Sequence, residues 1–316
     1  MNKRKMRIII KFIIAVGIFY IGLSMNVFHI WERLTNNEEK DYLQIDNENI
    51  IETWSINHYA AQNKISKNLN TSWTNVIESW YESDFNILCN SDKELCRKIN
   101  FNWDYSYYQK NAYLSDIFDI VYFINDNNKL KSDFEKVIYN ITVNNDKWNR
   151  RWYATWHDIV FNVSMVDIFS EFPNLVNHEM GHIVDLWFLQ WSNSKKHWAF
   201  TEFGKIAFQI DDPSINYYGI SRGSEKIRKA KATKKDFCSW YGMYDPFEDF
   251  AECFNMYLNH NYLFRQIAKS NTSLKKKYNY IASIFDGKYI KSNKVDLLLV
   301  KNDVTWRPWD TTKISQ

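Results

Sequence analysis

The sequence predicts an α+β fold, mainly helical, with a small curved sheet, preceded by a membrane segment and a helical region. Three observations lead there. Apolar residues recur at helical spacing over most of the chain, two short runs are rich in β-branched and aromatic residues, and an apolar stretch follows a basic cluster near the start.

Lys3, Arg4, Lys5 and Arg7 precede an apolar run from Ile8 to about Met25 that only Lys11 interrupts, which reads as an export signal or a membrane anchor. The bulk of the chain is then expected outside the cytoplasmic membrane, secreted or held by residues 1–34 if they are not cleaved. Gly22-Leu23-Ser24 offers small residues for cleavage but not the preferred Ala-x-Ala.

Residues 35–115 are expected to be a mainly helical region, with apolar spacing over Asp46 to about Asn68 and Ser72 to Ser83, then an aromatic-rich stretch around Phe101 to Tyr113. Ile117–Ile124 and Tyr153–Val163 read as strands, with Leu130–Ile141 a helix between them. Pro173 sits where a helix can begin, because its fixed φ and missing N–H cost nothing in the first turn, and the pattern runs to about Gln190. Further helices are expected at Pro246–Asn259 and Ser273–Phe285.

With 316 residues, 45% hydrophobic and 17% aromatic, the chain can bury a full core. The net charge of +3, from 40 basic and 37 acidic residues, is too balanced to point to nucleic acid as a partner. One basic run stands out, Lys226, Arg228, Lys229, Lys231, Lys234 and Lys235, and reads as a solvated surface rather than a lipid-binding patch. Four cysteines, an even number, fit an oxidising compartment: Cys89 and Cys96 can close a small loop, and Cys238 and Cys253 bracket a later segment.

His178-Glu179-Met180-Gly181-His182 matches the HExxH zinc motif. Four residues apart on a helix, two imidazoles project from one face and can share one Zn2+ ion, while Glu179 flanks it near a bound water. Zinc brings the pKa of that water toward neutrality and Glu179 can take the proton as general base. Val176, Met180, Ile183 and Trp187 fall on the opposite side of the helix, facing a core. Gly181 costs about 1 kcal/mol relative to alanine in a helix, so a neighbouring backbone or a substrate is expected close to it. Asp185, on the histidine face, is placed to accept a hydrogen bond from a ligand imidazole or to be a plain surface carboxylate.

Two histidines and a water leave tetrahedral zinc one protein ligand short. Residue 188 is Phe, so the metzincin third histidine is missing, and a glutamate on a later helix becomes the candidate. In Tyr244 to Phe254, Phe247, Phe250, Ala251 and Phe254 form an apolar stripe with Glu248 and Glu252 at its edge. Spacing alone leaves open a plain helix start, with Asp245 as cap and Glu248 at the third position.

The segments HEMGHIVD, WYG and EDFAECF, in that order, resemble the catalytic domain of anthrax lethal factor and of the secreted Pro-Pro endopeptidases. The likeness covers roughly residues 153 to 285. It implies a zincin-type metallopeptidase domain, here residues 116–316, with Glu248 as third ligand, Glu252 supporting a ligand and Tyr241 as the catalytic tyrosine. Met180 and Asp249 stand where the family carries aromatics. The expectation is therefore an exported zinc endopeptidase acting on a protein or peptide substrate. The alternative is a membrane-tethered binding protein on the same scaffold with purely structural zinc.

Overall fold

The computed structural model describes residues 82–127, 130, 138, 140–145, 152–155, 158–163, 171–189, 191–202, 204–292 and 310–314, with backbone only at 152–155. The membrane segment and the helices expected over Asp46 to Asn68 and Ser72 to Ser83 lie outside these residues, save residues 82 and 83, which are helical. All described residues fall in one compact unit, Ile51–Gln316. Among them no helix is long and apolar enough to cross a membrane.

Helix and sheet are mixed. After helical stretches at residues 82–91 and Lys93–Lys98, the elements are β1 (Ile99–Phe101), α1 (Tyr107–Asn125), β2 (Asn140–Asn144), β3 (Trp152–Thr155), β4 (Asp158–Asn162) and α2 (Phe172–Ile183). A π-helical turn, Val184–Phe188, extends α2. There follow β5 (Lys196–Glu202), β6 (Ile206–Gln209), α3 (Pro213–Ser221), β7 (Arg222–Ser224), β8 (Ile227–Arg228), α4 (Pro246–Asn259), α5 (Asn261–Lys269) and α6 (Thr272–Ile284). The main sheet has the order β1-β2-β4-β3, with β1, β2 and β4 parallel and β3 antiparallel on the outside.

Local signals explain the helices that position the site. Asp245 caps α4, its Oδ1 accepting from the amides of Phe247 and Glu248, and Pro246 opens the first turn, so the expected bounds Pro246–Asn259 hold. Pro173 lies in the first turn of α2 as expected. Asn271 caps α6 through the amide of Leu274. Phe172, at the start of α2, gathers the layers: its ring lies 4.5 Å from that of Tyr113 on α1 and 5.4 Å from that of Phe161 on β4.

Two strand expectations are corrected. Ile117–Ile124 belongs to the 19-residue helix α1, which starts at a capping box between Ser106 and Gln109 and buries Tyr113, Ile117, Ile120, Val121 and Ile124. A dense apolar run hid the helical period. The same helix crosses the junction expected between residues 115 and 116. Tyr153–Val163 is not one strand: it folds back between Thr155 and Asp158, which face each other in the antiparallel pair β3 and β4. The helix expected at Leu130–Ile141 lies mostly outside the described residues, and its last two residues begin β2.

Both cysteine pairs form disulfides, Cys89 with Cys96 and Cys238 with Cys253. The basic run from Lys226 to Lys235 is exposed.

Candidate metal centre

Helices α2 and α4 meet at Gly181, which packs against Ala251 and Phe254. A Cβ placed on Gly181 would stand 2.9 Å from the Cα of Ala251 and 3.1 Å from Cδ1 of Phe254, so the neighbour that the glycine admits is the backbone of α4. This close approach lets a glutamate of ordinary length reach the histidine face of α2.

His178 and His182 stand one turn apart, with ring centroids 5.0 Å from each other. Glu248 projects from the first turn of α4 so that its Oε2 is 3.2 Å from Nε2 of His178 and 3.5 Å from Nε2 of His182. One ligand atom from each of the three residues lies within 4.8 Å of the others. Atoms bound at the usual zinc distances around a tetrahedral ion are separated by roughly 3.4 Å. The residues present therefore fit a small divalent cation. The helix start leaves the side chain of Glu248 available: Asp245 accepts from the amide of Glu248 while that side chain turns to the imidazoles.

Glu252 is one turn further along α4 and fully buried, with Oε1 2.8 Å from Nδ1 of His178. That ion-pair contact sets a carboxylate against the Nδ1 edge of the ring and leaves the Nε2 edge facing Glu248. Glu179 is also buried, its Oε1 3.9 Å from Nε2 of His178. Tyr241 opens a 3-10 turn, Tyr241–Met243, and donates its hydroxyl to Oε1 of Glu248 at 3.1 Å.

Charge follows from this packing. Burial of His178 disfavours the imidazolium, yet Glu248 and Glu252 together hold its pKa well above the ordinary value. For Glu248, burial works against the charge, but His182 and His178 keep the carboxyl well below the usual range. Burial, then the charge of Glu248, pushes the Tyr241 phenol far up, so it stays a neutral donor.

Asp185 is buried, and its carboxylate takes the hydroxyl of Tyr218. No hydrogen bond among the described residues joins it to either imidazole. Burial pushes its carboxyl up to about 8, against the pull of Ser214 and Tyr218. The surface alternative is thereby excluded, and the role the sequence suggested at a ligand imidazole is taken by Glu252.

Four polar residues around the site gave no signal in the sequence. Lys277 on α6 is fully buried and binds both carboxylate oxygens of Asp249, at 2.8 and 2.7 Å, and the carbonyl of Asp236 at 2.8 Å. Arg222 donates to the carbonyl of Met243 at 2.7 Å. Ser239 accepts from the amide of Gly242 at 3.0 Å. Thr311 gives its backbone amide to Glu252 at 2.6 Å. Lys277 reads as one of three consecutive surface lysines, and Asp249, where the resembled family carries an aromatic, was the one trace of its partner.

Compared with models of known protein families, with curated proteins and with solved structures, the chain matches none.

Proposed function

We propose that the chain is a zinc-dependent endopeptidase of the zincin type that works outside the cytoplasmic membrane. One observation carries the reading: Oε2 of Glu248 stands 3.2 and 3.5 Å from two imidazole nitrogens, the spacing of neighbouring ligands on tetrahedral zinc. Zinc held by His178, His182 and Glu248 supplies the Lewis acidity that polarises an amide carbonyl and makes water acidic near neutral pH.

The remaining roles belong to side chains already in place. Glu179 is the general base, a buried carboxylate next to the ligand face. The neutral Tyr241 hydroxyl, now on Glu248, is the donor for the oxyanion of a tetrahedral intermediate. Glu252 keeps His178 in one tautomer. Strand β3, outermost in its sheet as described, is the edge along which an extended peptide adds. Two disulfides support the extracytoplasmic setting.

The test uses the full chain, a peptide library derived from a proteome, and mass spectrometry with and without chelator. Glu179→Gln is expected to keep stoichiometric zinc and to lose about 10²–10⁴-fold in turnover, since the base is gone but the ligands remain. Pure, folded protein without zinc, or undiminished turnover by the variant, would defeat the assignment.

A further inference from the structure

His178 is the most enclosed of the three candidate ligands, 1% exposed against 16% for His182 and 19% for Glu248. Its ring direction depends on Glu252, and the direction of Glu252 needs its own support. The last torsion of a glutamate is broad, so rotamer preference does not fix the plane of the carboxylate. A hydrogen bond on the oxygen away from His178 does.

That bond comes from 59 residues away in the chain, where the Thr311 amide meets Oε2 of Glu252 at 2.6 Å. The surrounding segment, Asp310–Ile314, grips both ligand helices. Toward α4, Oγ1 of Thr311 accepts from Asn255 at 2.9 Å. Toward α2, the Ile314 carbonyl accepts from Asn174 at 2.8 Å and Lys313 reaches Glu171 at 3.2 Å. Asn174 in turn bonds Asn259 and His260 at the end of α4, each at 2.9 Å. Asp310, Thr311, Thr312 and Ile314 are all buried.

We propose that Asp310–Ile314 is a strap for the metal centre, with Thr311 the positioning residue: its amide fixes Glu252, Glu252 fixes the imidazole of His178, and the same segment fastens α2 to α4. The inference rests on the metal-site reading above. Its distinct claim is that ion affinity is set in part by a backbone N–H that no ligand motif contains.

Geometry permits a narrow test. Thr311 is the first residue of a 3-10 turn, and Asp310 before it is extended, with φ −155° and ψ 119°, so the backbone admits a proline at 311, whose Cδ would also displace Oε2 of Glu252 from the place of the lost N–H. Thr311→Pro removes the N–H and the hydroxyl, whereas Thr311→Val removes the hydroxyl alone. Zinc affinity is measured by competition with a chromophoric chelator, and site symmetry by the visible absorption of the cobalt-loaded protein. Thr311→Pro is expected to weaken zinc binding by about 10–100-fold and to change the cobalt spectrum, with a smaller loss in Thr311→Val, which keeps the amide on Glu252 but gives up the bond from Asn255. Equal affinity for wild type and Thr311→Pro, or an equal loss in Thr311→Val, overturns the strap. If Thr311→Pro does not fold, hydrogen exchange on the wild-type chain decides. The Thr311 amide is expected to exchange more slowly once zinc is added, and an unchanged rate overturns the proposal. A wild-type chain that takes up no zinc defeats the site reading itself, a different result from zinc uptake that is indifferent to Thr311.

Discussion

The two sides of the candidate site are held in place by different physics. On the ligand side, His178, His182 and Glu248 sit within two regular helices, and their convergence follows from helical period plus the close passage of Gly181 over Ala251. On the tyrosine side, Tyr241 lies on a short turn whose neighbours Trp240 and Tyr244 are 52% and 65% exposed. Its position comes from tethers: Arg222 on the Met243 carbonyl, Lys277 on the Asp236 carbonyl, and the bond from Cys238 to Cys253 on α4. The ligand side converges through its own helices, with the Asp310–Ile314 segment behind His178 as support, whereas the tyrosine side has only tethers from elsewhere in the chain.

Breaking a tether should therefore separate chemistry from metal binding. Lys277→Met leaves Asp249 buried without its cation and is expected to cost about 3–5 kcal/mol in urea unfolding. In protein that remains folded, turnover should fall further than zinc affinity. A variant that loses both in proportion would erase the distinction between the two sides. Tyr241→Phe sharpens it at the level of one oxygen. Turnover should drop about 10²–10³-fold with zinc content unchanged, as kinetics beside metal analysis would show. Loss of zinc in this variant would place the phenol among the groups that hold the ion.

The smallest effect is expected on the ligand side, from Gly181→Ala. Alanine gains about 1 kcal/mol in helix propensity. Its methyl, however, meets the Ala251 backbone at 2.9 Å, and overpacking of this kind costs about 1–3 kcal/mol. Overpacking wins because the obstacle is main chain, so a net loss on the order of 1 kcal/mol and weaker zinc binding are expected from thermal melts and chelator competition. A variant as stable as the wild type, with equal affinity, would mean that helix approach does not set the ligand distance.

How much could be read in advance follows the same division. The HExxH spacing marked His178, Glu179 and His182 because a helical period is local, and Asp245-Pro246 marked the start of α4 for the same reason. Glu248 and Glu252 shared one edge of their helix, and spacing could not rank them. The structure puts Glu248 at both Nε2 atoms and Glu252 at Nδ1 of His178. Residues that act across the chain left no period to detect, as Lys277, Arg222 and Thr311 show. Where apolar density masked the period, in Ile117–Ile124, a helix read as a strand.

Uneven enclosure of the three donors has a final consequence. His178 is walled in behind by Glu252, while His182 and Glu248 keep some contact with solvent. On the zinc-peptidase reading proposed above, an ion would come and go by that more open flank, and a scissile amide would enter by the same doorway. A lodged peptide would then act as a stopper, with metal exchange slowest while it stays bound.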